Sequence, residues 1–338
     1  MKRAVIASIV LCAAMRASPA APQPQSSSTN LAAAPHPPVV LTPQYAPGDV
    51  LRYQVSLRSQ SKSLVGGALE NPQGASELGI SVGLTLRLEV LPPIPVESSP
   101  AGSPAAPAGR PPLRLRATYE RVSAELLGDT YDPAAAKLLA PYKNLEGRAI
   151  EFQLGPRGEV EYMKGLEAVV QDARALETAR GWLQQLGTGL GAPATGVAPG
   201  QSWDRTEPVP EAPLEGTQLQ SSSTYLRDEP CDIEKPAGEQ CAVVLMRFSL
   251  GQKPGEKNAT PEAFRKNGLR TSGQWTSHGE SLEYVSLRTG RTVSVTQSSE
   301  ELMDLNIRHE NGGVPFRYAG RSKNETHLLL LDEKPPVH

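Results

Sequence analysis

The chain of 338 residues carries a formal net charge of −2 and 5% aromatic residues. Neither its charge nor its stacking surface argues for nucleic acid, and the shortage of rings also speaks against sugar binding. Hydrophobic residues make up 38% and glycines number 30, the composition of a folded protein, and at about 100–200 residues per domain the length suits two units.

Lys2 and Arg3 form a short positive region ahead of the uncharged stretch Ala4–Met15, and Ser18-Pro19-Ala20 offers small residues for cleavage. Residues 1–20 are therefore predicted to be a secretory signal peptide, too short in its apolar part to cross a hydrocarbon layer of about 30 Å. Leu11 before Cys12 is unsuited to a lipidation site, which wants a small residue there. Residues 21–39 are rich in Pro, Ala and Ser and are predicted to be a disordered tether. No later segment is long and apolar enough for a membrane-spanning helix, so no transmembrane segment is expected in the mature chain.

The body is predicted to be mainly β, two antiparallel meander lobes at 40–190 and 191–332, followed by a tail at 333–338. Tyr53, Val55 and Leu57 alternate with polar residues. From Leu78 the apolar set Leu78, Ile80, Val82, Leu84, Leu86, Leu88 and Val90 does the same, which places one face of a long strand in a core. A Pro-rich loop at 92–112 separates that strand from the next, Leu113 to Tyr119. Asp132-Pro133-Ala134 reads as a helix start. Ile150 to Tyr162 reads as a hairpin around Gly155-Pro156-Arg157-Gly158.

Residues 166–186 carry Leu166, Val169, Val170, Ala173, Leu176, Leu183 and Leu186 at mostly three- and four-residue spacing. This predicts an α-helix covering the first lobe. Residues 187–200 read as a linker. In the second lobe Val244 to Leu250 alternates, and a hairpin is expected around Arg288-Thr289-Gly290-Arg291. Ala46-Pro47-Gly48-Asp49 recurs as Ala198-Pro199-Gly200-Gln201, each ahead of a run of strands, which suggests duplication of one meander.

With the signal removed, Cys231 and Cys241 are the remaining cysteines. In an oxidising compartment they are expected to pair, stapling a hairpin whose turn holds Pro236 and Gly238. Gly79, Ser81 and Gly83 give one face of the strongest strand tiny side chains, open to close approach by a helix or a ligand. This is a candidate ligand-facing strand.

Catalytic signatures find no fitting context: Gly79-Ile80-Ser81-Val82-Gly83 matches Gly-x-Ser-x-Gly but lies within the unbroken alternation from Leu78 to Val90, where the serine elbow needs a sharp strand-to-helix turn, and His309-Glu310 breaks into Gly312-Gly313 where a zinc helix would continue. His278 and Glu280, two apart on a strand, share a face, but a zinc site wants three or four ligands. Asn258-Ala259-Thr260 and Asn324-Glu325-Thr326 match the glycosylation acceptor triplet. No catalytic, cofactor-binding or metal-binding residue is assigned.

Pro47-Gly48-Asp49 leading to Tyr53, and Pro199 to Trp203 in the pattern Pro-Gly-x-x-Trp, resemble uncharacterised exported bacterial β-rich proteins. More distantly, the long strands with a covering helix are similar to the half-open barrels of periplasmic lipoprotein and lipid carriers. The resemblance implies a fold more than a function, with no known activity, and together with the signal it leads to the expectation of a non-catalytic periplasmic or extracellular protein. Its expected partners are an apolar ligand or lipid, or alternatively an envelope protein for which it serves as a structural module. A hydrolase is the third reading.

Overall fold

The structure, a computed structural model, describes residues 37–67, 74–92, 113–127, 139–140, 142–154, 160–165, 190–209, 212–252 and 260–334. The alternating stretches form β1 (Val50–Gly67), β2 (Ser76–Leu91), β3 (Leu113–Leu127), β4 (Ala149–Leu154), β5 (Val160–Lys164) and β6 (Ser202–Pro208). They continue as β7 (Thr217–Pro230), β8 (Gln240–Gln252), β9 (Leu269–Ser286), β10 (Thr292–His309) and β11 (Phe316–Lys334). A short helix, α1 (Glu262–Lys266), precedes β9.

All eleven strands belong to one antiparallel sheet in the order β5-β4-β3-β2-β1-β11-β10-β9-β8-β7-β6. This corrects the expectation of two separate lobes. Two consecutive meanders exist, but β1 and β11 pair along their whole length, from Val50 opposite Lys334 to Gly67 opposite Phe316. Period-two patterning dictates which face each side chain takes, not which strand lies alongside. The seam between the meanders joins opposite ends of the chain.

The register passes one row of side chains from strand to strand. Leu88 of β2 faces Leu51 of β1 and Ala117 of β3, and Leu115 faces Phe152 of β4. Leu51, Leu86, Leu88, Leu115, Ile150, Phe152 and Leu154 are fully buried on this core face. Each such side chain contributes about 1.5–3 kcal/mol relative to exposure. Leu139 and Tyr142 pack over Ile80 and Val82 at the other end of the same strands. Across the sheet a second cluster joins Trp203, Tyr225, Ala242, Val244, Met246 and Val285 to Leu41, Leu190 and Val197.

Leu190 and Val197 lie in the segment read as a linker, and Val197 pairs with Val39 through two backbone hydrogen bonds, both under 3 Å. Chain on either side of the strands is thus packed into the second cluster. The paired turns of the sequence echo share one local geometry. Gly48 and Gly200 have φ of 93° and 86°, and the Asp49 and Gln201 side chains accept from the amides of Ala46 and Ala198 at 2.8 and 2.9 Å. The expected signal peptide 1–20, residues 21–36 of the tether, the Pro-rich loop, the helix start at Asp132, the covering helix 166–186 and the tail beyond residue 334 lie outside the described residues.

Candidate ligand-binding face

The two faces of the sheet differ in chemistry. The outer face is charged: Arg52 and Glu120 pair at 3.0 Å, Arg116 and Glu151 at 2.5 Å, and Arg317 and Asp304 at 2.5 Å. Glu300 is held by Arg321 at 2.6 Å and Lys323 at 2.9 Å. Their hydrogen bonds bring its pKa down to about 2.

His278 and Glu280 stand on this outer face, opposite Glu300 of β10 and Arg247 of β8. They share a face, as residues two apart on a strand must. The shallow groove they line with Lys323 and Glu325 measures about 450 Å³. Among the described residues no three His, Cys, Asp or Glu side chains gather in a metal-binding group.

Gly79, Ser81 and Gly83 also face outward, opposite Gln60, Arg58 and Ser56 of β1. Their small size is matched by their neighbours. A Cβ at Gly79 would come within 2.7 Å of the Leu127 side chain, and one at Gly83 within 2.9 Å of Ser123 Oγ.

The core face changes character toward the middle of the sheet. On β1 and β11, Val55 pairs with Leu328 and Tyr53 with Leu330. Tyr53 is buried, whereas Val55, Leu328 and Leu330 stay half-buried beside the first apolar cluster and Leu57 beside the cluster of Ile80, Val82, Leu139 and Tyr142. The same face then turns polar. Asn324 of β11 lies opposite Ser59 of β1 and Ser299 of β10, and Gln297 lies opposite Ser281 of β9. Ser281, Glu283, Ser299, Gln297 and Asn324 are all buried, between 1% and 9% exposed.

Two side chains in this band stand out. Asn324 Oδ1 accepts from Ser59 Oγ at 2.7 Å, which leaves its amide NH2 with donors to spare. Glu283, 4% exposed, accepts from Ser281 Oγ at 3.3 Å, and burial pushes its carboxyl up to about 7. Sequence periodicity missed this band because β10 reads Thr-Gln-Ser-Ser-Glu-Glu from 296 to 301, polar on both faces. The burial of Asn324 in mid-strand also speaks against its use as a glycosylation acceptor. Asn258 lies outside the described residues.

Two further sites hold the frame. The Cys231 and Cys241 sulfurs stand at disulfide distance, 2.07 Å, where β7 hands over to β8. The β9–β10 turn grips the approach to β1. Arg291 forms a buried ion pair with Asp49, donates to the Gln44 carbonyl at 2.6 Å, and lies 5.2 Å from the Tyr45 ring centre. Gly290 sits beneath the Thr42 carbonyl with φ of 64°.

No protein-family model matches the chain, and no curated protein matches it. Among solved structures, one on lipid–protein interactions in lipovitellin is similar over 87% of this chain, at 10% identity and a TM-score of 0.43. An outer membrane channel from Pseudomonas putida F1 aligns over 86% of this chain and 98% of its own, at 10% identity and a TM-score of 0.18. The chain spans 26% of the lipovitellin chain.

Proposed function

We propose that this is an exported, non-catalytic envelope protein that binds an apolar ligand or lipid against the core face of its sheet. The observation that carries the reading is the half-buried apolar row Val55, Leu57, Leu328 and Leu330, packed against two buried clusters. Apolar side chains left partly in water beside a dry core gain by about 25 cal/mol for each Å² that a ligand covers. A cysteine pair at disulfide distance fits an oxidising compartment.

The test is mass spectrometry of the organic extract from protein purified natively, after export and without detergent. A stoichiometric apolar molecule supports the reading, and a clean extract from a protein that also takes up no added lipid refutes it. An interaction module of the envelope is the second reading. It is favoured by Leu329 and Leu331, 48% and 45% exposed near one end of β11, and retrieval of a stoichiometric protein partner lost on Leu329→Ser would make it primary.

A further inference from the structure

We infer that the core-face site takes a neutral amphipathic lipid, whose head carries hydroxyl or amide groups and no net charge. The inference rests on the apolar-ligand reading and specifies the head group. Head-group chemistry comes from the polar band. Ser299 is 5% exposed and Asn324 9%, and the two lie directly opposite one another on β10 and β11. Apart from the Ser59 contact of Asn324, neither side chain has a partner among the described residues. Their polar atoms are not sealed from water, since Arg87 Nε is the one buried side-chain atom without a partner among the described residues, so they stay open to a ligand hydroxyl or amide, which can both donate to and accept from this pair.

The apolar body has a place at the right distance. Leu328 lies on the same face as Asn324, four residues along β11, or about 13 Å at the rise of an extended strand. Phe248 closes the opposite side of the band. Its ring lies over Gly279, where a Cβ would come within 2.7 Å of it, and Gly279 is the strand neighbour of Ser299.

Charge decides the class of head. The core face of β9 and β10 carries two carboxyl groups, Glu283 and Glu301, the latter receiving Trp275 Nε1 at 2.5 Å. Arg58, Lys62, Arg247, Arg321 and Lys323 all belong to the outer face by the register of their strands. Among the described side chains, none of β1, β8, β9, β10 or β11 brings a lysine or arginine to the core face. An anionic head would be buried beside carboxyl groups with no countercharge, the costliest arrangement for a charge out of water. A cationic head would have to draw its countercharge from Glu283, whose carboxyl is raised to about 7 by burial, or from Glu301, whose two oxygens already accept from Trp275 Nε1 and Ser322 Oγ. An uncharged head meets neither penalty.

The experiment is displacement of the neutral fluorophore N-phenyl-1-naphthylamine from the purified protein. The competitors are monooleoylglycerol, oleate and oleylamine, which share one acyl length, each kept below its aggregation threshold. Monooleoylglycerol is expected to bind about tenfold more tightly than either charged analogue. Ser299→Ala should cut the preference for monooleoylglycerol over the charged analogues by about three- to tenfold, the loss of one hydrogen bond. Oleate or oleylamine binding as tightly as monooleoylglycerol, or a Ser299→Ala variant with unaltered preference, overturns the head-group assignment while fluorophore binding keeps the carrier reading. Failure of the fluorophore and of every lipid to bind overturns both.

Discussion

The substitution Glu283→Gln tests the buried band without changing its shape. In the folded protein the carboxyl is raised from 4.5 to about 7 because burial penalises its charged form. An acid raised on folding holds its proton more tightly when folded. Its favourable contribution is therefore complete below the ordinary carboxylate range and is lost as pH climbs through about 7. At about 1.4 kcal/mol for each pKa unit the whole effect is about 3 kcal/mol, of which about 2.5 kcal/mol falls between roughly pH 5 and pH 8. The amide of the variant cannot ionise and can still accept from Ser281 through its oxygen. Urea unfolding at both pH values is the assay. The variant should match the parent at about pH 5 and exceed it by about 2–3 kcal/mol at about pH 8. Stability curves that run parallel across the range would refute the placement of Glu283 in a dry site.

Asp49→Ala leaves the Arg291 guanidinium buried without its carboxylate and is expected to cost about 3–5 kcal/mol in denaturant unfolding; a loss under about 1 kcal/mol would mean the pair is wet. Gly290→Ala drives a Cβ into the Thr42 carbonyl at positive φ and should cost at least about 2 kcal/mol. Gly200→Ala, at φ of 86° with nothing within 4 Å, carries only the backbone strain of about 1 kcal/mol. The gap between these two melting curves checks that the segment before β1 docks on the β9–β10 turn. Thiol titration of the exported protein under non-reducing, denaturing conditions should find no free thiol at Cys231 or Cys241, and reduction should cost about 3 kcal/mol. Two reactive thiols would exclude the bridge.

The strands were legible because their chemistry is local. Leu78 to Val90 alternates without a break, and it became β2 with Ile80, Val82, Leu86, Leu88 and Val90 buried. The Arg288 to Arg291 hairpin was legible for the same reason, since Gly290 supplies the positive φ its turn requires. The merging of two meanders into one sheet was not. Nothing within β1 indicates that Lys62 will lie beside Arg321, because an interior strand and an edge strand of the same amphipathic pattern read alike.

The candidate site failed to appear in the sequence for a related reason. Catalytic and metal chemistry favours His, Cys and acidic clusters, and the residues of that kind singled out in the sequence, His278 and Glu280, stand on the solvated outer face. The residues that unite on the core face are Ser59, Glu283, Ser299 and Asn324, drawn from four strands. None is unusual in its own segment. Their significance comes from their placement, since the register gathers polar groups onto a largely buried face where a ligand's polar atoms can take the place of water as their partner. The apolar row Val55 to Leu57 was visible as alternation, but its half-buried state was not: it depends on what covers the face. A polar band bordering an incompletely covered apolar row is what separates a ligand site from a closed core, and only the register of β9, β10, β11 and β1 brings the two together.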